Sequence, residues 1–343
     1  MMGLIRKAMA VAALAFTLGS VNAQTAAPLK FKWGLPSADY YAVYVAKDHG
    51  LFKEAGLDPE FFFFASGAPL LAGLKSESLD VVTTGLATVF ALGQNIPLKM
   101  IYWELDHSAA EALIVDPKAG INSAADLPKA KAIGGPSGTC AQVSLVLMAR
   151  QMGIKFSDLN IVNIAPPMYG NAFTSNGIQA GIAWSPFSQA LIQQGYKVAG
   201  WATEYTPQGG VCPGMTAARP AFLAKNPDVG LKLVQVKAKA MEMIAKNPNL
   251  AIDALVKNIG IPREVAKAAF DREFSRIPTL EQQVDPKSPY SMTATGAGLA
   301  AKLQVASEAL AAAGSIPAPL SAKVIADAID PSHIQRFLKG ERK

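Results

Sequence analysis

Cysteine is almost missing from this chain: Cys140 and Cys212 are the only two among 343 residues. Spaced this far apart they form neither a CxxC redox pair nor a four-ligand zinc cage, and a chain of this length does not depend on the disulfide framework of small secreted domains. Whether they pair or stay separate thiols is open from the residues alone. Histidine is scarce too, with only His49, His107 and His333, and no GxSxG elbow occurs. A Ser-His-Asp hydrolase is therefore not indicated. No segment beyond the first residues is apolar for the ~20 positions that a membrane span needs. Lysines are scattered and not clustered, and the formal net charge is only +6, which argues against a nucleic-acid partner.

The first residues read as an export segment over 1–23: Arg6 and Lys7, an apolar run from Ala8 to Leu18, then Val21-Asn22-Ala23 as a small-residue cleavage site. No cysteine follows Ala23, so lipid attachment is not expected. The charge of +6, less the two of Arg6 and Lys7, leaves about +4 on a chain placed outside the cytoplasm, most simply in a periplasm.

Two stretches share one pattern. Leu70 to Thr88 gives a helix, a polar turn, an apolar strand from Leu79 to Val82, and small residues Thr83-Thr84-Gly85 at its end. Ile164 to Gln189 gives a turn at Pro166-Pro167, a short helix, the cap Asn176-Gly177 and a strand from Ile178 to Trp184. Proline cannot donate to a ladder and disfavours helix before it, so Ser185-Pro186 stops that strand with the Trp184 ring at its carboxyl end, where open α/β sheets bind ligands. Two similar lobes facing one cleft are expected.

Leu29 to Gly34 alternates as a first strand, and Leu35-Pro36-Ser37 turns it into a helix from Asp39 to Asp48. The unbroken run Phe61 to Phe64 predicts a strand from Glu60 buried on both faces. Later, a strand at Ala130 to Ile133 leads through Gly135-Pro136-Ser137-Gly138-Thr139 into a helix at Cys140. Such a turn leaves helix-terminal N–H groups free for an anion, although an ordinary cap has the same residues. It lacks both the Lys-Ser/Thr of a P-loop and the GxGxxG spacing. Helices are predicted over Pro220 to Ala245, Pro248 to Asn258, Pro262 to Phe274 and Thr293 to Ala313, packed on lobe one and carrying no identifiable chemistry.

The string GLFKEAGLDPEFFFFASGAPLLAGLKSESLDVVTTGLATVFALGQNIPLKMI, followed in order by EALIVDPKAGINSAADL, IGGPSGTCAQVSLVLMARQMGI and IVNIAPPMYGNAFTSNGIQAGIAWSPFSQAL, resembles the taurine, sulfonate and nitrate family of periplasmic substrate-binding proteins. The resemblance implies an α/β, two-lobed type II periplasmic binding fold serving an ABC-transporter permease. Each lobe would be a mixed sheet flanked by helices. Lobe one would hold 24–114 and 214–343, and lobe two 115–213. The strand Ala112 to Val115 would be the first crossing and Gln208 to Thr216 the return. It implies a monomeric, non-enzymatic receptor for a small organic anion, a sulfonate first, needing no cofactor and no metal. An aromatic carboxylate, a thiamine-precursor-like ligand and a pyrimidine-synthase-like enzyme are the alternatives.

The candidate ligand residues are Ser37, Asp39, Tyr40, Ser66, Gly67, Thr84, Gly85, His107, Ser137, Gly138, Thr139, Trp184 and Cys212. No arginine occurs in these loops, so hydroxyls and main-chain N–H groups would hold the anion. Where taurine-specific members carry an acidic residue in the return crossing, Gly214 stands here, and Asp39 or Glu111 would have to supply that charge.

Overall fold

A computed structural model describes residues 27–206 and 209–341. The expected export segment and Gln208 lie outside the described residues. Among these residues, no helix is long and apolar enough to cross a membrane.

The chain begins with strand β1 (Leu29–Pro36), helices α1 (Tyr41–Asp48) and α2 (Leu51–Glu54), strand β2 (Leu57–Phe64), helix α3 (Leu70–Lys75), strand β3 (Val81–Thr84), helix α4 (Ala87–Gly93) and strand β4 (Lys99–Asp106). A turn at His107–Ala109 leads into β5 (Ala112–Val115), then β6 (Ile133–Gly134), α5 (Cys140–Gln151), β7 (Ile161–Val162), α6 (Tyr169–Thr174), β8 (Ala180–Ala183), α7 (Phe187–Gln193) and β9 (Lys197–Trp201). Strand β10 (Pro213–Ala218) follows, and the rest is helical: α8 (Pro220–Lys225), α9 (Val229–Lys246), α10 (Asn249–Ile259), α11 (Arg263–Glu273), α12 (Leu280–Val284), α13 (Gly298–Ala312) and two short helices.

The strands form two five-stranded sheets, ordered β2-β1-β3-β10-β4 and β7-β6-β8-β5-β9. They repeat one plan. In each, three strands run parallel and the fourth position is filled by an antiparallel strand, β10 in the first sheet and β5 in the second. The chain therefore passes to the second sheet between Asp106 and Ala112 and returns between Trp201 and Pro213. Strand β5, expected as the crossing that closes lobe one, pairs wholly within the second sheet with β8 and β9.

A buried polar chain pins the first sheet to its helices. The Trp33 indole donates to Thr83 Oγ1 at 3.0 Å, Thr83 and Thr216 hydroxyls meet at 2.7 Å, Thr216 donates to Glu104 at 2.8 Å, and Lys237 of α9 donates to the other Glu104 oxygen at 2.8 Å. Every member has a partner, the condition under which a buried polar group stabilises instead of penalising the core.

Three expectations need correction. Strand β2 is an edge strand and Phe63 is 45% exposed, stacked at its margin on Tyr44, because only β1 covers it. The helix expected from Pro220 to Ala245 breaks around Asn226 into α8 and α9. The C-terminal helices also do more than pad lobe one: α9 and α10 pack on α1, but α11 reaches α7 and α13 lies on α5, both in the second lobe.

Candidate functional site

The carboxyl ends of β1, β3 and β8 and the amino end of α5 converge on a cavity between the two sheets. The cavity has a volume of about 30 Å³. Eight of the predicted residues line it: Tyr40, Gly67, Thr84, Gly85, His107, Thr139, Trp184 and Cys212. Pro36, Ala38, Leu86, Ala87 and Cys140 complete a mostly apolar wall. Their signal in sequence was only adjacency to a strand end.

Ser37, Asp39, Ser66, Ser137 and Gly138 do not line the cavity. The Ser37 carbonyl instead accepts the Trp184 indole N–H at 3.2 Å, a hydrogen bond that joins the lobes across the cleft. Ser66 is buried beside Gly67. The turn before α5 has spent two of its N–H groups already. Ser137 N–H donates to Asn163 at 3.1 Å and Gly138 N–H to Gln142 at 2.7 Å. Gly138 has φ +71°, which glycine adopts without strain, and a Cβ there would strike the Phe90 ring on α4. Thr139 holds the Pro136 carbonyl at 2.6 Å and brings the first turn of α5 to the cavity wall.

Cys140 and Cys212 are joined in a disulfide, with Cα atoms 5.3 Å apart. This ties the amino end of α5 to the returning segment ahead of β10. The two crossings are also knitted by hydrogen bonds: His107 N–H donates to the Cys212 carbonyl at 3.0 Å, and Cys212 N–H to the Ser108 hydroxyl at 3.0 Å. Gly85 lies so close that a Cβ on it would sit 2.7 Å from Cys140 Sγ.

Asp39 lies behind the wall and is completely buried. Its carboxylate stands 3.1 Å from His107 Nδ1 and accepts the Tyr41 hydroxyl at 3.2 Å. Glu273, at the end of α11, stands 3.5 Å from the same nitrogen. Burial raises the Asp39 pKa, but the Glu273 hydrogen bond and the His107 charge outweigh it and hold the carboxyl below its ordinary range. Burial and the neighbouring Asp39 push Glu273 well above its usual 4.5. Burial favours a neutral His107 ring, yet Asp39 and Glu273 overcome it and raise His107 well above 6.5. Relative to isolated groups, the cluster favours a charged His107 ring and an ionised Asp39 and disfavours an ionised Glu273. The donor atoms of these three residues also converge closely enough to hold a metal ion.

Glu273 escaped sequence reasoning because its helix looked like padding. A signal was present: the buried face of α11 is Val265, Ala266, Ala269, Phe270 and Glu273, a carboxylate on the apolar stripe. Glu111, named at the crossing, is buried too. Its carboxyl accepts the Ser144 hydroxyl at 2.7 Å, and burial pushes its pKa up to about 8.

Two α/β lobes of one plan, linked by paired crossings and closed on a shared cavity, define the periplasmic binding protein fold. The chain belongs to the NMT1/THI5-like family, whose model matches residues 37–251. It is 26% identical over 245 residues to an Escherichia coli (strain K12) protein provisionally named an aliphatic sulfonates-binding protein, covering 70% of this chain and 74% of that one. It is 26% identical over 222 residues to the taurine-binding periplasmic protein of the same organism, covering 63% and 68%. The solved alkanesulfonate-binding protein SsuA from Xanthomonas axonopodis pv. citri, bound to MOPS, shares the fold with a TM-score of 0.73 at 18% identity, covering 89% of this chain and 99% of that one. The resemblance and the two-lobed fold expected from sequence are both found.

Proposed function

We propose that this protein captures a small organic anion, a sulfonate first, in the cavity between its lobes and delivers it to the permease of an ABC importer. The observation that carries this reading is a cavity walled from both lobes, with Tyr40, Thr84 and Gly85 on one side and Thr139 and Trp184 on the other. A ligand touching both walls favours the closed arrangement over an open one, and that difference is what a permease can read. The amino end of α5, a helix of 12 residues, meets the cavity wall at Thr139 and Cys140, and a helix amino end suits a partial or full negative charge. Relatives named for sulfonates and taurine favour this class over the aromatic carboxylate and pyrimidine-synthase alternatives. The reading makes and breaks no bond, and it places the mature protein in the periplasm as a monomer after cleavage at Ala23.

A melting series with butanesulfonate, benzenesulfonate, taurine, nitrate and benzoate tests it. A ligand at 100 times its Kd stabilises by about 2.7 kcal/mol, which a melting curve resolves easily. Stabilisation by at least one sulfonate is expected; none by any organic anion would overturn the proposal.

A further inference from the structure

We propose that Asp39, His107 and Glu273 form a binding site for a divalent first-row transition ion, of which zinc is the reference case, where the two lobes meet. The site lies behind the cavity wall, and it does not depend on what the cavity binds.

The three side chains come from distant parts of the chain: Asp39 from the turn ahead of α1, His107 from the first crossing, and Glu273 from the last turn of α11. All three are buried, and one donor atom from each lies within 4.8 Å of the others. His107 Nδ1 stands 3.1 Å from Asp39 Oδ1 and 3.5 Å from Glu273 Oε1, yet closes a hydrogen bond with neither. With both carboxyls ionised, Asp39 Oδ1 and both Glu273 oxygens have no donor at all. Buried charges of this kind are paired or coordinate a metal. A divalent ion would cancel both carboxylate charges and give each orphaned atom a partner at once. A proton held between the two carboxyls is the other way to satisfy them, and it leaves His107 Nδ1 unpaired.

The spacing fits an ion. Ligand atoms about 2.0–2.1 Å from zinc at the corners of a tetrahedron lie about 3.3–3.4 Å apart. The two contacts of Nδ1 bracket that value. One imidazole among the donors favours zinc and its neighbours over calcium or magnesium, which take oxygen alone. The Tyr41 hydroxyl donates to Asp39 Oδ2 at 3.2 Å and leaves Oδ1 to the cluster, the kind of outer hydrogen bond that orients a ligating carboxylate. Ser185, in the turn after β8 of lobe two, is buried beside the Asp39 carboxyl, and its hydroxyl also lacks a partner. That hydroxyl or a water would complete a shell of four. The same turn supplies an entry path. It is held over Ser37 to Asp39 of lobe one by the Trp184 hydrogen bond, so parting the lobes would lift it from the site.

Metal content tests this on the untagged protein, dialysed against zinc sulfate, desalted and measured by mass spectrometry. One zinc per chain is expected. His107→Gln and Glu273→Gln should each lower zinc affinity at least tenfold, while His49→Gln and His333→Gln should leave it unchanged. Zinc should raise the melting temperature of the parent and not of Glu273→Gln. Anomalous scattering at the zinc edge from crystals of the unaltered protein gives a readout free of folding effects, and its peak should lie between Asp39, His107 and Glu273. Less than stoichiometric zinc, zinc bound equally well by Glu273→Gln, or an anomalous peak beside His49 or His333 would each overturn the proposal and leave a shared proton as the cluster's only occupant. None of these results bears on sulfonate binding, which the melting series reads separately.

Discussion

Glu111→Gln should stabilise this protein, and by an amount set by pH. Glu111 is fully buried, one oxygen accepts from Ser144, and the other has no partner. Its folded pKa of about 8 lies above the ordinary 4.5 because burial penalises the ionised form. The neutral acid is tolerated in the fold, while the unfolded chain prefers it ionised above 4.5. Stability is therefore fully present below pH 4.5 and is lost as pH rises to 8, at about 1.4 kcal/mol per pH unit. Glutamine mimics the neutral acid and has no such loss. The variant should match the parent near pH 4, exceed it by about 3 kcal/mol at pH 7, and gain little more above pH 8. In a chain of this size that is roughly 5–10 °C of melting temperature at pH 7. Melting curves of both proteins from pH 4 to pH 9 measure it. A difference that stays flat across this range, or a glutamine variant less stable at pH 8, would refute the reasoning.

Lys237→Met should lower stability by about 3–5 kcal/mol in urea unfolding, because it strands the buried Glu104 carboxylate that Lys237 meets at 2.8 Å. Gly85→Ala forces a methyl to within 2.7 Å of Cys140 Sγ, so it should cost about 1–3 kcal/mol and weaken butanesulfonate binding in titration by narrowing the cavity. Reducing the Cys140–Cys212 disulfide, which spans 72 residues of sequence, should cost about 2–4 kcal/mol. A melting scan with and without a phosphine reductant reads this directly, and no shift would contradict the tie between α5 and the returning segment.

Strand ends were legible because the residues that stop a strand are chemically conspicuous. The strand β8 ends at Ala183, just ahead of Trp184 and the Ser185-Pro186 stop, and Asn176 takes the left-handed φ of +56° that its place in a helix cap predicts. These marks located the neighbourhood of the cavity and most of its wall. They did not show which way a side chain points: Ser37 contributes its carbonyl instead of its hydroxyl, and the Ser137 and Gly138 N–H groups are consumed by Asn163 and Gln142. The phenylalanine run misled because edge and central strands can have the same composition, and only the strand order tells them apart. The cluster around His107 was hidden for a different reason. Its charge depends on Asp39 and on Glu273 from a distant helix, a contact that exists only once α11 has packed against the crossings.

The central claim is that an organic oxyanion sits in the cavity between the two sheets, touching both lobes. Crystals grown with butanesulfonate address it most directly. The account predicts sulfonate density inside the cavity, in contact with Tyr40 and Thr84 of one lobe and with Thr139 and Trp184 of the other. Density for the sulfonate outside this cavity, or against the wall of one lobe alone, would contradict it.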